Sequence, residues 1–336
     1  RGLGDVYKRQ AYTDTNYVFI TEVFMLIKKE RFHFAQEEEG QLMVDVTDRV
    51  NNRPINGASV SISYAGDPQD TLEQLTTDSN GMTEEIDLAA PPRSYSEYPL
   101  SDVQPYSEYN LIITAPGYEP TTISGSEIFS GELSVQPVRL NPVLPNASAS
   151  VINIPANTLW GVFPPKIPED EIKPVRSSGE IVLSRVVIPE YIVVHDGVPS
   201  DSSATDYYVR YADYIKNVAS SEIYSTWPEA TLRANITAIM SFTLNRVYTE
   251  WYRNKGYDFT ITTSTAYDHK WIYGRNIFDS ISRIVDEIFA NYISRPNVKQ
   301  PILTQYCDGK RVSCPNAMSQ WGSCLLYTSP SPRDCS

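Results

Sequence analysis

The chain has 336 residues, of which 28 are Lys or Arg and 41 are Asp or Glu, so its net charge is −13. At roughly 100–200 residues per domain, this length predicts a multidomain protein. The acidic balance repels nucleic-acid phosphate, so no nucleic-acid partner is expected, and no apolar run reaches the roughly 18–20 residues that a membrane span needs.

Both ends of the sequence are unlike the rest. Residues 1–10, RGLGDVYKRQ, and 324–336, CLLYTSPSPRDCS, resemble translated sequencing-adapter read-through, and we expect neither to contribute to the fold. On this interpretation the sequence is a fragment of a longer protein, truncated within its second domain. Two interpretations of residues 11–39 are possible. Their apolar stretch, which is interrupted by Glu22, fits either a degraded signal segment or read-through upstream of a start at Met25.

Short alternating runs separated by turn signals fill residues 40–142. Leu42, Val44 and Val46 alternate with polar residues, a spacing that puts every second side chain on one face of a strand. Turn-forming residues such as DSNG at 78–81 separate the runs. The pattern predicts an all-β domain, a sandwich of antiparallel strands.

The same stretch resembles the carboxypeptidase regulatory-like domain, a transthyretin-like seven-stranded sandwich. The resemblance rests on DVTDRVNNRPINGASVSI at 45–62, TTDSNG at 76–81 and YNLIITAPGYEP at 109–120. It implies a non-catalytic module of a kind that is common in secreted bacterial proteins.

Residues 143–178 change in composition to prolines and an acidic run at 169–171, with no periodicity. Proline-rich segments of this kind act as semi-rigid spacers, so we interpret the stretch as a linker. Two apolar interruptions, VINI at 151–154 and LWGVF at 159–163, indicate that part of the linker packs on a domain.

The next stretch, 179–323, is predicted to be an α+β domain. Two β-branched runs between 181 and 197 come first. A long helix is predicted from 227 to about 254, because Thr226 and Glu229 form a T-x-x-E capping box before apolar residues at helical spacing. Its inward face is expected to hold Leu232, Ile236, Ile239, Thr243, Val247 and Trp251. A second amphipathic helix is predicted after Asn276, with Ile277, Ile281, Ile284, Ile288 and Tyr292 inward.

Signals of common cofactor and metal sites are missing from the sequence. There is no glycine-rich phosphate loop, nucleophile elbow, H-E-x-x-H or C-x-x-C motif. The three histidines, His33, His195 and His269, are not spaced with other ligands, so neither a metal nor another cofactor is expected. Cys307 and Cys314 fit either one local disulfide or two reduced thiols.

Three separated stretches resemble the stage II sporulation protein D family, which comprises peptidoglycan lytic transglycosylases and relatives described as amidase enhancers. They are DYIKNVASSEIYSTWPEATLRA at 213–234, STAYDHKWIYG at 264–274 and MSQWGS at 318–323. Tyr214 and Glu222 match the family pattern in the first stretch. The resemblance implies the fold of that family from about residue 181 to 323.

The same resemblance implies that Glu222 is the catalytic glutamate of a lytic transglycosylase. Such an enzyme uses one acid to protonate the glycosidic oxygen and then to deprotonate the sugar's own 6-hydroxyl, which closes a 1,6-anhydro ring. A glycoside hydrolase needs two carboxylates; Asp268 is the second candidate, although a loop aspartate more often orients a turn. We expect Trp227 and Tyr224 to shield Glu222 and raise its pKa. From composition alone it would be a solvent-exposed glutamate.

A glycan groove is expected beside Glu222, since sugar rings stack on aromatic faces. Trp271 and Trp321, in loop contexts, are the aromatic candidates, whereas Trp251 on a helix face is expected in the core. The predicted substrate-binding residues are Trp227, Thr265, Asp268, His269, Trp271, Gln320 and Trp321.

Three places depart from the family pattern. Met240 stands where many members have an arginine, so a charge partner for the acid must come from elsewhere or is missing. Residues 267–269 lack the cysteines with which some members bind zinc. Residues 314–317 replace a glycine- and histidine-rich run, so the groove near Gln320 is expected to differ in shape.

The leading interpretation is a secreted, cell-envelope or spore-associated protein that processes peptidoglycan glycan strands. The alternative is a non-catalytic protein that docks on peptidoglycan or recruits another cell-wall lytic enzyme, and dependence of cleavage on Glu222 separates the two. A weaker hypothesis, a cysteine peptidase using Cys307 and His269, lacks a local sequence signature.

Overall fold

The computed structural model describes residues 38–99, 101, 103–144, 149–172, 181–313 and 315–328. In that part of the chain the structure is mostly β-sheet, with fourteen strands and five α-helices. The predicted adapter segment 1–10 and nearly all of the uncertain segment 11–39 lie outside the described residues. Of the predicted adapter segment at the other end, 324–328 are described as part of a helix.

Two sheets build the N-terminal half. One consists of β1 (Glu38–Asp48), β4 (Ile86–Ala90), β7 (Leu133–Leu140) and β12 (Ile277–Phe278), in the order β12-β7-β1-β4. The other consists of β2 (Ser59–Tyr64), β3 (Asp67–Thr76), β5 (Ser107–Thr114), β6 (Thr121–Ile128) and β8 (Ser150–Asn153), in the order β3-β2-β5-β6-β8. A one-turn helix, α1 (Ser94–Glu97), follows β4.

Alternation along the strands gives the two sheets one common core. Its fully buried members come from both sheets and include Leu42, Val44, Val46, Val60, Ile62, Leu111 and Ile113. Every second residue of a strand faces the same side, so the predicted alternation is confirmed and the sheets pack as a sandwich. The expectation of wholly antiparallel strands is wrong, because β1 pairs with β7 in parallel and β6 pairs with β8 in parallel.

Helices and short strands build the C-terminal half. Strands β9 (Tyr191–His195), β10 (Asp206–Arg210) and β11 (Ile261–Thr262) form a sheet in the order β10-β9-β11, and β13 (Tyr306–Cys307) pairs with β14 (Met318–Ser319). The helices are α2 (Tyr211–Glu222), α3 (Glu229–Tyr248), α4 (Asp279–Ile288) and α5 (Gln320–Thr328), and a 3₁₀ turn covers Arg253–Lys255. Within the described residues, no helix combines the length and the apolar character that crossing a membrane requires.

Helix α3 differs from its prediction at both ends and in its surroundings, since it ends at Tyr248 and not near residue 254, which leaves Trp251 outside it. Pro228 is the N-cap residue and no side chain caps the helix, because the Thr226 hydroxyl donates instead to Ser96 Oγ, 2.7 Å away. The predicted capping box is therefore replaced by a tertiary contact. Buried side chains lie on several faces of α3, so the helix passes through the core instead of covering it with one stripe.

The two halves are joined by more than the predicted linker. Strand β8, within that linker, extends one sheet of the sandwich, and β12, from the C-terminal half, extends the other. Since β12 takes up Ile277 and Phe278, helix α4 begins only at Asp279. Arg275 donates to the carboxylate of Glu127 at 3.1 and 2.5 Å, and neither side chain has any exposed surface.

Candidate active site

Glu222 ends helix α2 inside the C-terminal half, where only 2% of its surface is exposed. Its Oε1 accepts a hydrogen bond from the backbone N–H of Lys270 at 2.7 Å, and its Oε2 accepts one from the Tyr306 hydroxyl. The interpretation of this residue as a solvent-exposed glutamate is therefore wrong. The carboxyl group is enclosed, and both of its oxygens are hydrogen-bonded.

Burial is the largest influence on the acidity of this carboxyl group. It raises the pKa of Glu222 above the ordinary value, against the opposing effects of the Lys166 ammonium and the two hydrogen bonds. The raised pKa agrees with the expectation from sequence, but the groups that contact the carboxyl group are not the predicted Trp227 and Tyr224. The Trp227 indole N–H donates to the carbonyl oxygen of Ser96 at 2.9 Å, and Tyr306 contacts the acid directly.

Three of the predicted substrate-binding side chains face the interior near Glu222. Gln320 donates from Nε2 to the backbone carbonyl of Glu222 at 3.1 Å, so it positions the end of α2. Trp321 lies in α5 and packs against Trp227 with ring centroids 4.9 Å apart. Trp227, Gln320 and Trp321 are all almost wholly buried, and in this conformation they offer a glycan little surface.

Asp268 is buried in a hydrogen-bond network of its own. Its Oδ1 accepts from Arg246 Nε at 2.7 Å, while its Oδ2 accepts from the Tyr252 hydroxyl at 2.6 Å and from both the N–H and the hydroxyl of Thr262. With both oxygens hydrogen-bonded in this way, the carboxylate anchors its loop. The turn-orienting interpretation of Asp268 is the one that this geometry supports.

Thr265 and His269 lie on either side of Asp268. Thr265 is half-buried in the turn that precedes it. His269 is fully buried, with Nδ1 lying 3.0 Å from the Tyr214 hydroxyl and no partner for Nε2 among the described residues. Burial, with help from Lys166 and Arg246, holds the pKa of His269 well below its usual range, so the ring is neutral at pH 7.

Residues 155–172 cross the C-terminal half next to this site, and we refer to them as the strap. Ile167 donates its N–H to the carbonyl oxygen of Ala266 at 2.7 Å, and Lys166 donates to the carbonyl oxygen of Asp268. Glu169 accepts two hydrogen bonds from Arg246, at 2.8 and 2.5 Å. The strap is thus bonded along its length instead of spanning free solvent.

Lys166 brings a positive charge to a site whose helix carries an uncharged Met240, at a position where the sequence resemblance led us to look for an arginine. Its ammonium lies 5.3 Å from the centre of the Phe242 ring and 5.9 Å from that of Tyr306, the residue that contacts Glu222. Burial lowers the pKa of Lys166, against the raising effects of Glu222 and Asp268. A cation near the acid therefore comes from the predicted linker.

Sequence reasoning missed four residues of this site: Lys166, Arg246, Lys270 and Tyr306. Tyr306 is 84 residues from Glu222 along the chain, and no motif named in the sequence includes it. The acidic run at 169–171 was the available signal for Arg246, since a buried arginine requires carboxylate partners. That run was interpreted instead as part of a spacer.

The remaining candidates have structural environments. His195 lies 2.7 Å from Asp206 Oδ1 through Nδ1 and 3.2 Å from the Val198 carbonyl oxygen through Nε2, as a structural histidine would. Cys307 is disulfide-bonded, which removes it as a free nucleophile and contradicts the cysteine peptidase hypothesis. Cys314 and His33 lie outside the described residues. In the described part of the chain, no group of three or more His, Cys, Asp or Glu side chains could hold a metal ion.

Comparisons with known proteins extend only to part of the chain. No protein-family model matches it, and no curated protein does. Among solved structures, the Bacillus anthracis TIE protein is 17% identical over 32% of this chain and 17% of its own, with a TM-score of 0.22. The minor pilin of Streptococcus agalactiae is 16% identical over 33% of this chain and 48% of its own, with a TM-score of 0.22.

A third neighbour, 5-hydroxyisourate hydrolase of Klebsiella pneumoniae, is 20% identical over 31% of this chain and 92% of its own, with a TM-score of 0.21. The chain spans less than half of the length of the first two neighbours. At such TM-scores the similarities add no argument to what the strands and the core already show.

Proposed function

We propose that the protein processes peptidoglycan as a lytic transglycosylase, with Glu222 as the general acid and base. The observation that supports it is the convergence of three separated motifs on one residue, Glu222. Lys270 of the second motif bonds the Glu222 side chain, and Gln320 of the third bonds its backbone carbonyl. Contacts of this kind are what a C-terminal domain similar to stage II sporulation protein D would require.

The protonation state of Glu222 fits the first step of the reaction. A carboxyl group whose pKa is raised by burial keeps its proton nearer to neutral pH and can give it to the glycosidic oxygen of a leaving sugar. The resulting carboxylate, held by Tyr306 and the Lys270 N–H, then accepts the proton of the 6-hydroxyl as the anhydro ring closes.

The state of Asp268 favours transglycosylation over hydrolysis. Hydrolysis uses a second carboxylate to attack the sugar or to activate water. Both oxygens of Asp268 are already bound by Arg246, Tyr252 and Thr262. A mechanism that needs a single acid therefore agrees better with this site than one that needs two.

Glu222 is reached by substrate only after the strap moves. Glu222 is enclosed in the conformation described, with the Lys166 ammonium of the strap close enough to act on its pKa, and a glycan chain needs contact between its glycosidic oxygen and the carboxyl group. The proposal therefore includes an open conformation in which the contacts of Lys166 and Glu169 are broken. The enclosed state protects the acid from water between turnovers.

A second candidate function is non-catalytic binding to peptidoglycan, with or without recruitment of another lytic enzyme. The observation that favours it is the near-complete burial of Glu222 with both oxygens hydrogen-bonded, which is also how a purely structural carboxyl group would look. Both functions place the protein in the cell envelope or on the spore, outside the cytoplasm, with the sandwich as a non-catalytic module.

Mass spectrometry of purified glycan strands incubated with the protein tests the proposal. Anhydro-sugar ends are expected with the wild type, and Glu222→Gln should lower their rate of formation by about 10²–10⁴-fold, because glutamine cannot transfer a proton. Glu229→Gln, at an exposed position at the start of α3, is the matched control and should cleave like the wild type. Wild-type protein that binds strands and never cleaves them would favour the non-catalytic function.

A further inference from the structure

A cavity of about 550 Å³ opens between the sandwich and the C-terminal half. Its walls come from the ends of β7 and β8 on one side, and from the loop 270–273 and β10 on the other. We call it the interdomain cleft. It shares Lys270 with the enclosed cluster around Glu222, and of the substrate-binding residues predicted from sequence only Trp271 lies in its lining.

One wall of the interdomain cleft is aromatic. Tyr207 and Tyr273 stack with ring centroids 4.9 Å apart and planes inclined by 23°, and Trp271 lies 5.4 Å from Tyr207. Stacked rings of this kind present a flat apolar face, against which the C–H face of a pyranose ring can pack. Trp271, placed in the predicted glycan groove, thus belongs to this wall.

The lining of the cleft is also cationic. Arg49, Arg139 and Lys270 line the cleft, whereas Asp196 is the one acidic residue in its lining. Three cations against one carboxylate stand out in a chain whose net charge is −13. An anion entering the cleft would therefore meet a local field opposite to that of the whole molecule.

The guanidinium groups of Arg49 and Arg139 differ in their hydrogen bonds. Arg49 donates from Nη1 to the Tyr273 hydroxyl at 2.9 Å, so its guanidinium is fixed at the aromatic wall. Arg139 lies at the exposed end of β7, where its charge acts on Asp45 against the raising effect of burial on that pKa, and its guanidinium makes no close ion pair or hydrogen bond within the described residues. An arginine fork of this type binds a carboxylate through two parallel hydrogen bonds.

The interdomain cleft also adjoins the acid. Lys270 belongs to the lining of the cleft, its ammonium donates to the carbonyl oxygen of Ala156 at the start of the strap, and its backbone N–H donates to Glu222. Asn153 and Pro155, where β8 passes into the strap, line the cleft as well. A chain bound in the cleft would therefore lie one residue away from the Glu222 carboxyl group and against the root of the strap.

We propose that the interdomain cleft binds a carboxylate-bearing amino-sugar chain, with Arg139 and Arg49 holding the carboxylate and the Tyr207–Tyr273 pair packing on a sugar ring. A role of the cleft in cleavage rests on the proposed function, whereas binding of the chain in the cleft does not depend on it. The carboxylate comes either from the lactyl ether of muramic acid or from the peptide attached to it. Both sources have the same chemistry, and the test separates them.

Isothermal titration calorimetry with full-length protein measures this binding. The probes are a peptide-free tetrasaccharide of alternating N-acetylglucosamine and N-acetylmuramic acid, the same tetrasaccharide with its peptides, and chitotetraose, which has no carboxylate. Either acidic probe should bind at least about tenfold more tightly than chitotetraose, as one charge-assisted contact implies. The tighter of the two acidic probes identifies the source of the carboxylate.

Two variants locate the site. Arg139→Gln should weaken binding of the acidic probe about tenfold and leave chitotetraose unchanged, and it should fold because the side chain is exposed and unpaired. Arg283→Gln removes the same charge from exposed α4, outside the cleft, and should bind like the wild type. Tyr207→Leu should weaken both probes. Equal affinity for acidic and neutral probes, or wild-type affinity in Arg139→Gln, would overturn the proposal.

The outcome is separable from that of the proposed function. If Glu222→Gln abolishes cleavage while Arg139→Gln binds normally, the transglycosylase proposal stands and the cleft proposal fails. If no cleavage occurs and binding of acidic probes still depends on Arg139, the cleft proposal stands and the transglycosylase proposal fails.

Discussion

The ion pair between Arg275 and Glu127 supports a quantitative prediction about stability. The change Arg275→Met keeps an elongated side chain and removes the guanidinium that donates two hydrogen bonds to the Glu127 carboxylate. Both side chains have no exposed surface, so water cannot replace the lost partner. Removing one member of a buried pair typically costs about 3–5 kcal/mol, because the other charge stays buried and unpaired.

A loss of this size is large for the whole molecule. Total unfolding free energies are about 5–15 kcal/mol, and at roughly 2–4 °C per kcal/mol the melting temperature should fall by on the order of 10 °C. Urea denaturation followed by tryptophan fluorescence measures the free energy directly. The matched control Arg283→Met breaks an exposed pair with Asp279 and should cost at most about 1 kcal/mol.

The double variant Glu127→Gln with Arg275→Met tests the cause. Removing the orphaned charge should recover a large part of the lost stability. If Arg275→Met alone costs less than about 1 kcal/mol, or if the double variant is no more stable than the single one, the buried pair does not act as described.

Three further predictions concern the site. Burial raises the folded-state pKa of Glu222, so the folded protein binds more protons there than the unfolded chain. As the pH rises from about 4 toward 7, the stability of the wild type should therefore fall relative to that of Glu222→Gln. Denaturation curves of the two proteins, recorded in parallel at each pH, measure this difference. Burial lowers the pKa of Lys270 to about 8 from a usual 10.5. Between those values the unfolded chain binds more protons, so stability should rise with pH, and Lys270→Met should remove that rise. Glu169→Gln weakens the bond between the strap and Arg246, so limited proteolysis should cut residues 155–172 faster than in the wild type, and equal rates would contradict the role of this contact.

Local patterns in the sequence were sufficient for the sandwich. Leu42, Val44 and Val46 alternate because a strand exposes every second side chain to one face, and that period is visible without any partner strand. The parallel pairing of β1 with β7 joins segments about ninety residues apart, and no local pattern carries that information. The capping box at Thr226 failed for a similar reason, since Ser96 lies in the other half of the molecule.

The candidate acid was found from sequence, but its environment was not. Glu222 was identified by a family resemblance. Its environment includes Lys166, which precedes it in the sequence by more than fifty residues, and Tyr306, which follows it by 84. The aromatic residues predicted to line a groove, Trp227 and Trp321, instead pack against each other. Residue type predicted stacking, and only the fold decides whether the partner is a sugar or another side chain.

The two late strands of the sandwich have a consequence for biosynthesis. When Leu140 has left the ribosome, β7 still lacks β12 and β6 still lacks β8, so both are edge strands with unpaired backbone groups, in addition to β4 and β3 at the other edges. Strand β8 follows within a few residues, but β12 begins at Ile277, and at roughly 5–20 residues per second the wait lasts on the order of ten seconds. An open edge is a template for pairing with another chain. Nascent chains translated from one messenger RNA would therefore be most prone to pair through β7 during this interval, before β12 pairs with Ser134 and Val135.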